Sequence, residues 1–341
     1  MLPECDEDHV TSEELSDLFS PASGVAADIP ESLAKLHVHG VTIFEGAMGA
    51  ATAAELRDHI VERNANAGPL SRYYVHEPGF RTHLMLGMDD HPIVKKAVQE
   101  VLSNNVLQAV LKRALGTDPS LVEHAAITSQ PGAPAQFWHR DTEARKEDAP
   151  LITLFMPLQN TTAGMGSTGL CPGTHACTGH GHHCADRPTI EAEVAAGDVV
   201  AMNSRTIHRG GPHTGYWEED RVLYYMSFTR PPQRKVTLPE GSTYCLRWDQ
   251  WGYTYDELVS GRFGKFFTRS WRMWDYWGQE IEEKQRDHDD FHPNQDDIFN
   301  LGLGSLLLAA VLFFLPGRLQ GMKQAMDGMR GAAGKSSIKA D

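Results

Sequence analysis

Apolar and polar residues follow several distinct patterns along the chain, and the first part predicts a disordered start followed by a strand and a helix. Residues 1–33 are acidic, rich in Ser, Pro and Ala and without apolar periodicity, so we expect them to be mostly disordered. The segment VHGVTIFEGAM at 38–48 predicts a first strand. In TAAELRDHIVERN, Thr52 is in place to cap a helix, and Glu55, three residues later, completes a capping box.

A second helical pattern covers 91–116. Its apolar spacing is interrupted near Ser103–Asn105, which predicts two consecutive helices, and Gly116 marks the C-terminal stop. Beyond Gly116 the pattern changes to short segments rich in β-branched and aromatic residues, separated by Gly and Pro turns, and these predict strands. The predicted strands are 122–130, 135–141, 151–160, 190–194, 198–204, 206–210 and 221–229.

Helices followed by this many short strands predict a mainly β fold with flanking helices. The expected core is a jelly-roll or cupin-like double sheet with the helices packed on one face. We place this domain at 34–240. At 341 residues the chain exceeds one average domain, and the patterns fit a single large β domain with extensions at both ends.

The composition changes again after the last strand and predicts a helical C-terminal extension. Residues 241–297 are first rich in tryptophan and then acidic, 298–317 contain no charged residue, and 318–341 form a short basic tail. The uncharged stretch is long enough to cross a hydrocarbon core of about 30 Å, so it predicts a transmembrane segment, with a buried core helix as the alternative.

Such a segment predicts a membrane-associated protein with a C-terminal anchor. The N-terminus shows no cleavable signal peptide, which favours a cytosolic catalytic domain. The basic tail favours the opposite orientation, because positive charges tend to stay on the cytosolic side. The topology and the organelle therefore stay open, and a soluble cytoplasmic protein is the alternative.

The net charge of −14 argues against nucleic acid as a partner, because phosphate binding needs a basic face. The five cysteines are too few for a scaffold built from disulfides. Three of them, Cys171, Cys177 and Cys184, share the loop CPGTHACTGHGHHCAD with four histidines. This composition is compatible with a zinc site, with a disulfide in an oxidising compartment, or with free thiols in a loop near a metal site.

The most informative polar residues are His139 and Asp141 in QFWHRDT. On a strand, residues two apart point the same way, so both side chains are expected to share a direction. His208, at the start of a later strand, adds a second imidazole, and two imidazoles with one carboxylate are typical of non-haem Fe(II) sites. A hydrogen-bonded polar pair is the plain alternative. His213 is a rival for His208, and a second HxD at His288 lies in a charge run typical of a solvated surface.

Arg221 follows His208 by thirteen residues and opens the strand RVLYYMSF. A guanidinium holds a carboxylate by two parallel hydrogen bonds, so Arg221 can anchor a dicarboxylate whose other end binds the metal. The alternatives are an ion pair between Arg221 and the acidic run 218–220, and Arg209 in place of Arg221. Arg140 points away from its two neighbours on a strand, and we interpret it as a bystander.

Together, His139-Arg140-Asp141, the PGTH loop at 172–175, GDVVAMNSRTIHRGG and Arg221 resemble the phytanoyl-CoA dioxygenase family. The resemblance covers roughly 36–235 and includes HGVTIFEGAMGAATAAELRDHI, which is similar to the opening strand and helix of the family. It implies a double-stranded β-helix. It also implies that the protein is an oxygenase dependent on Fe(II) and 2-oxoglutarate.

In this family the resemblance implies His139, Asp141 and His208 as the Fe(II) ligands. Arg221 is then the residue that binds the C5-carboxylate of 2-oxoglutarate, and Gln136 and Thr153 lie on strands that could reach this cosubstrate. The implied reaction uses O2 to hydroxylate a small-molecule or lipid-like substrate and releases succinate and CO2. Asp141 favours hydroxylation over halogenation, because a small residue in its place would leave room for halide.

Two other functions stay open at this point. A cupin-like metal enzyme that uses no 2-oxoglutarate would have no need of Arg221. A non-catalytic, membrane-attached binding protein would keep the fold, although the intact set of His139, Asp141 and His208 argues against it. Neither the substrate nor the oligomeric state follows from the sequence.

Overall fold

In the computed structural model, the described residues all lie within the first of two units, 1–276. The described residues are 29–67, 74–77 (backbone only), 80–142, 150–178, 184, 187–214, 219–230, 245–246, 250 and 252–261. Of the segment 1–33 that was predicted to be disordered, residues 1–28 lie outside this set. Most of the tryptophan-rich and acidic extension, the 298–317 segment and the basic tail lie outside it as well. Within it, none of the helices has the length and apolar content to span a membrane. Membrane attachment through 298–317 stays a prediction of the sequence.

Five helices and ten strands make up the described part of the chain. The helices are α1 (Ile29–His39), α2 (Ala50–Asn66), α3 (Pro92–Leu102), α4 (Asn105–Leu115) and α5 (Tyr255–Ser260), with one 3-10 turn at Thr174–Ala176. The strands are β1 (Val41–Phe44), β2 (Tyr74–Glu77), β3 (Arg81–Met85), β4 (Ser120–Ser129), β5 (Leu151–Pro157), β6 (Thr168–Cys171), β7 (Ile190–Ala192), β8 (Val199–Asn203), β9 (Ile207–Gly210) and β10 (Arg221–Thr229).

The two helices predicted within 91–116 are confirmed as α3 and α4. The His91 ring accepts a hydrogen bond from the Ile93 amide at 3.3 Å and caps α3. The Asn104 side chain accepts the first amides of α4 at 3.1 and 3.0 Å. Gly116 ends α4 with a φ of 106°, a conformation that a residue with a Cβ rarely adopts.

The starts of the first two helices differ from the predictions. α1 begins at Ile29, so 29–33 are helical and not disordered, because Leu33 and Leu36 lie on one face and pack against the core. α2 begins at Ala50 with Gly49 as its N-cap, which places Thr52 inside the helix and not at the cap. The Gly49 amide donates to the Glu100 carboxylate at 2.7 Å, so a neighbouring helix already satisfies the amide at the entry to α2.

The strands form two antiparallel sheets. The larger sheet has the order β1-β8-β5-β10-β4-β3-β2, and the smaller has the order β7-β6-β9. This is the predicted double-stranded β-helix of jelly-roll type, with the helices packed on the outer face of the larger sheet. Strands β2, β3 and β6 were not predicted, and the predicted strand at 135–141 is wrong, since only an isolated bridge forms there.

Successive side chains of β10 point alternately to the two faces of the larger sheet. Val222, Tyr224 and Phe228 belong to the apolar cluster that includes α2, α3 and α4, whereas Leu223 and Tyr225 belong to the cluster that includes residues of the smaller sheet. Burying each such large side chain stabilises the fold by roughly 1.5–3 kcal/mol. The inner face, between the two sheets, is therefore where polar side chains of the larger sheet can meet those of the smaller one.

Candidate active site

His139 and His208 are brought together by backbone pairing between the 136–141 segment and β9. The amide of each residue donates to the carbonyl of the other at 2.9 Å, and Asp141 donates its amide to the Ser204 carbonyl at 3.0 Å. The Gln136 amide donates to the Gly210 carbonyl at 2.9 Å, and the Gly210 amide donates to the Gln136 side chain. Between these two pairs the chain advances three residues from Gln136 to His139 but only two from His208 to Gly210. A bulge therefore interrupts the ladder, and no continuous strand forms.

The three side chains form the one group of potential metal ligands found among the described residues. One ligand atom from each of His139, Asp141 and His208 lies within 4.8 Å of the others. Asp141 Oδ1 is 3.7 Å from His139 Nε2 and 3.4 Å from His208 Nε2. The site is open on one side, because the side chains of His139 and Asp141 are 40% and 30% exposed, whereas that of His208 is 6% exposed.

Each histidine ring is oriented by a backbone carbonyl two residues before it. His139 Nδ1 lies 2.8 Å from the Phe137 carbonyl, and His208 Nδ1 lies 3.0 Å from the Thr206 carbonyl. A carbonyl only accepts, so Nδ1 carries a proton and Nε2 is the ring atom available to bind a metal. This second contact, which fixes the ring and its tautomer, is typical of histidines that bind metals.

Asp141 and His208 shift each other's protonation. Burial raises the pKa of Asp141, but the charge of His208 and its hydrogen bond outweigh burial, and the pKa is lowered overall. Burial lowers the pKa of His208, but the carboxylate of Asp141 outweighs it, and the pKa is raised. Without a metal the pair thus favours carboxylate and imidazolium, and a divalent cation can replace the proton between them.

The rival proposed for His208 lies elsewhere. His213 is buried, and its Nε2 lies 2.9 Å from the Glu219 carbonyl, away from the group formed by the three ligands. His288 lies outside the described residues. The donor set of His139, Asp141 and His208 fits Fe(II), because three ligands grouped on one side leave positions open for other molecules.

Arg221 opens β10, and its side chain is 3% exposed. Nη1 donates to the Gly166 carbonyl, and within the described part of the chain Nε has no hydrogen-bond partner. Burial, and next the charge of Arg81, lower the pKa of Arg221 to about 10, so it stays charged at neutral pH. A cavity on the inner face is lined by Arg221 together with Phe155, Thr168 and Leu223, among others.

Arg81 is a second buried arginine that the sequence analysis missed. It is 3% exposed, and its Nη2 donates to the Gly211 carbonyl at 2.8 Å. Arg81 and Arg221 both pair with Ser129, one on each side of β4, so they lie two strands apart at the same level of the sheet. Two buried guanidiniums at one end of the inner face repel each other, and a bound dianion would relieve this repulsion.

Gln136 and Thr153 lie in different surroundings. The Gln136 side chain accepts the Gly210 amide at 2.8 Å, and a Cβ added to Gly210 would lie 3.4 Å from Arg81 Nε, so Gln136 adjoins the arginine pair. Thr153 is fully buried, with its hydroxyl 2.8 Å from Ser204 Oγ and 2.9 Å from Ser227 Oγ. Its hydroxyl therefore supports the segment that holds Asp141 and does not face the cavity.

Arg209, the competitor of Arg221, points the other way. Its guanidinium lies 4.4 Å from the centre of the Trp138 ring. Successive residues of β9 face opposite sides, so Arg209 and His208 cannot share the inner face. The geometry favours Arg221 over Arg209 as the arginine of the inner face.

A family model described as phytanoyl-CoA dioxygenase matches residues 36–216, which is just over half of the chain. The chain belongs to the phytanoyl-CoA dioxygenase family. The matched range contains the three ligand candidates, Gln136 and Thr153, and it ends before Arg221. The assignment of Arg221 therefore depends on the geometry described above.

The curated relatives that match part of the chain are named as dioxygenases. The dioxygenase hkm4 of Aspergillus hancockii is 30% identical over 121 residues, which are 33% of this chain and 40% of that protein. The iron/alpha-ketoglutarate-dependent dioxygenase ausU of Aspergillus calidoustus is 28% identical over 149 residues, 40% of this chain and 50% of that protein. The chain thus spans half or less of the length of these relatives. Among solved structures, AviO1 from Streptomyces viridochromogenes Tue57 is 18% identical with a TM-score of 0.49, covering 62% of this chain and 99% of that one.

Glu123 is a partly buried carboxyl on the inner face, and the sequence analysis missed it as well. It pairs with Ser227 across β4 and β10 and accepts the Ser227 hydroxyl at 2.5 Å. Burial, and next the charge of Asp141, raise the pKa of Glu123 to about 7, against the lowering effect of the hydrogen bonds from Ser227 and from the Cys245 backbone. A glutamate within an otherwise apolar strand was the signal that could have pointed to it.

We expect Glu123→Gln to stabilise the chelator-treated protein at pH 8 and to change little at pH 5. The carboxyl has its raised pKa only in the folded state, so folding takes up a proton between pH 4.5 and 7. The wild type therefore loses stability from this group as the pH rises through that window, and the glutamine variant does not. The difference should be about 1–3 kcal/mol in the free energy of unfolding, measured by urea at both pH values.

Glu31→Gln, which removes a surface ion pair with Lys35, is the matched control and should show no such pH dependence. An equal effect of Glu123→Gln at pH 5 and pH 8 would mean that the Glu123 pKa is not raised.

The cysteine-rich loop contains a disulfide between Cys171 and Cys184. Both residues are buried and pack with Ile207 and Trp138. Among the sequence alternatives, free thiols at these two positions are therefore wrong. Trp138 faces this cluster and is not part of the wall of the inner cavity.

Proposed function

We propose that this chain is an Fe(II)- and 2-oxoglutarate-dependent dioxygenase that uses O2 to hydroxylate a small molecule and releases succinate and CO2. The observation that carries the proposal is the convergence of His139, Asp141 and His208 within 4.8 Å. The names of the curated relatives, one of them an iron/alpha-ketoglutarate-dependent dioxygenase, support the same cofactors.

The three ligand residues would hold Fe(II), which supplies the redox chemistry by which O2 reacts with an organic substrate. His139 and His208 contribute Nε2, because their Nδ1 atoms are bound to carbonyls. The carboxylate of Asp141 lies beside both rings and would reduce the net charge of the metal-loaded site. The partial exposure of His139 and Asp141 supports access for other molecules from that side.

Arg221 and Arg81 would hold the carboxylate of 2-oxoglutarate that lies away from the metal. Both are buried and charged, and each keeps its guanidinium in place through a backbone carbonyl, of Gly166 and Gly211 respectively. A planar fork of donors matches a carboxylate in a way that an ammonium does not. The dicarboxylate would thus span the inner face from the arginine pair to the ligands.

The apolar residues around this region would exclude water. The cavity that Arg221 lines is bounded by Phe155, Val200 and Leu223, and the Phe155 ring centre lies 6.2 Å from that of His208. Charge–charge attraction is stronger where water is excluded, so these side chains strengthen the hold of the arginines on an anion. They would also keep bulk water from the reacting atoms.

The substrate would approach from the exposed side of His139 and Asp141. Phe137, two residues before His139, is 94% exposed and offers an apolar surface beside the site. This supports a small-molecule or lipid-like substrate. The net charge of −14 argues against nucleic acid, and membrane attachment through 298–317 would suit a lipid-like substrate.

The test is the formation of succinate from 2-oxoglutarate by the full chain with Fe(II) and O2, with and without candidate substrates. We expect succinate even without substrate, at a low rate, and none when Fe(II) or O2 is left out. A cupin-like enzyme that uses no 2-oxoglutarate, or a non-catalytic binding protein, would form none under any condition. No succinate from a protein that binds Fe(II) would therefore overturn the proposal.

A further inference from the structure

Arg140 stands between two metal-ligand candidates in sequence and points away from both. Its guanidinium lies behind the site and donates to three backbone carbonyls. They are those of Thr174 at 2.6 Å, Cys177 at 3.1 Å and Arg205. Burial is the main cause that lowers its pKa, to about 10, so the group stays charged at neutral pH.

The Arg205 carbonyl lies in the segment that leads into β9. On one side of it, the Ser204 carbonyl accepts the amide of Asp141 at 3.0 Å. On the other side, the Thr206 carbonyl lies 3.0 Å from His208 Nδ1. Arg140 therefore binds the Arg205 carbonyl. In the chain, this carbonyl lies between the carbonyl that accepts the Asp141 amide and the carbonyl that orients the His208 ring.

The other two carbonyls belong to the loop that the Cys171–Cys184 disulfide closes. Within that loop, the Thr174 hydroxyl donates to the Cys171 carbonyl at 2.6 Å and accepts the Ile207 amide at 2.8 Å. Cys171 also pairs with Ile207 between β6 and β9. The loop is thus tied to the residue immediately before His208, as well as to Arg140.

A single guanidinium joins these parts because it presents five donors in a fixed plane. Arg140 belongs to the ligand segment 139–141 and binds both the segment 204–206 and the loop after Cys171. Lysine has one donor group on a flexible stem and cannot hold three carbonyls in one plane. Removing Arg140 would remove all three of these hydrogen bonds at once, and with them the contact that the two segments share.

We propose that Arg140 is a positioning residue that sets the distance between Asp141 and His208, and that the Cys171–Cys184 disulfide acts on the metal site through it. The inference rests on the metal site of the proposed function and is independent of the substrate. The role of Arg140 resembles that of the outer contacts of metal ligands, whose loss typically lowers metal affinity by about 10–100-fold.

The experiment measures the Kd of Co(II) for the metal-free full chain, together with the visible spectrum of bound Co(II) and the thermal unfolding midpoint. We expect Arg140→Ala to raise the Kd by about 10–100-fold and to change the spectrum, with a smaller effect for Arg140→Lys. Arg63→Ala, which removes an exposed arginine paired with Asp90, is the matched control and should leave the Kd unchanged.

The link to the disulfide is tested by a double-mutant cycle. Cys171→Ser with Cys184→Ser should weaken Co(II) binding severalfold in the wild type and by less in the Arg140→Ala protein, because the connection from the loop to the ligands through Arg140 is then already lost and only the one through Ile207 remains. If Arg140→Ala does not fold, the cycle is carried out with Arg140→Lys.

The outcomes separate the two proposals. A wild type that binds no Co(II) refutes the metal site itself. Wild-type affinity and spectrum in folded Arg140→Ala or Arg140→Lys refute the positioning role. Independent, multiplying effects of the arginine and the disulfide refute the link between them.

Discussion

Asp141→Ala will abolish succinate formation and weaken Co(II) or Fe(II) binding by more than about 100-fold, since even the loss of an outer contact of a metal ligand commonly costs 10–100-fold. Asp141 is the only carboxylate of the three, and its Oδ1 lies 3.7 Å from His139 Nε2 and 3.4 Å from His208 Nε2. Without it, two imidazoles remain to hold a cation with no negative charge beside them. We also expect the pKa of His208 to fall in the metal-free variant, because Asp141 is what raises it.

The measurements are succinate formation, metal titration and the pH dependence of the His208 ring signals in NMR. Asp198→Asn is the matched control. That carboxylate accepts the amides of Gly46 and Ala195 at the far end of β8, so its replacement should leave metal binding intact. If Asp141→Ala bound metal as tightly as the control, the assignment of this carboxylate as a ligand would be wrong.

Arg221→Ala will raise the KM for 2-oxoglutarate by about 100-fold, and Arg221→Lys will recover only a small part of this loss. Removing one partner of a buried, hydrogen-bonded charge pair costs about 2–5 kcal/mol, and each 1.4 kcal/mol is tenfold in affinity. Lysine keeps the charge but cannot form two parallel hydrogen bonds to one carboxylate. The KM is read from succinate formation at saturating Fe(II) and O2.

Two further arginines sharpen this test. Arg81→Ala should raise the same KM, because both guanidiniums lie at the same level of the inner face. Arg209→Ala should leave it near the wild-type value, because that side chain stacks on Trp138. If Arg209→Ala raised this KM strongly and Arg221→Ala did not, Arg209 and not Arg221 would be the arginine that binds the carboxylate.

Much of the architecture was predictable because the relevant signals are local. The helices α3 and α4 were predicted with their break and their stop, since caps and glycines act within a few residues. Strands with strong apolar content, such as β5 and β10, were predicted for the same reason. β3 was missed because its arginine and histidine break the apolar alternation, and those polar side chains belong to the inner face.

The ligand set was predicted by residue type and order, but for a partly mistaken reason. His139 and Asp141 were expected to share a direction because they lie on a strand, whereas the segment pairs with β9 through a bulge and one bridge. The side chains of these two residues still meet in one group of potential metal ligands, because the Phe137 and Ser204 carbonyls hold the His139 ring and the Asp141 amide in place.

The residues that sequence reasoning missed acquire their meaning only from distant neighbours. Arg81 gains a role because β3 lies beside β4, which brings it level with Arg221. Glu123 has a raised pKa because the fold buries it near Asp141. Arg140 looks like a bystander in sequence, and its contacts arise only because the fold brings the Thr174, Cys177 and Arg205 carbonyls to its guanidinium.

By itself, the sequence determined which chemical groups this protein has and the order in which they occur: an HxD, a later histidine and a buried-strand arginine in a mainly β chain. Residue types, turn signals and spacing are local properties, and they are enough for that. Only the tertiary structure decided which arginines share the inner face, which cysteines are paired and what orients each ligand. Those relations join residues far apart in the chain, and they depend on strand order and register, which no local pattern encodes.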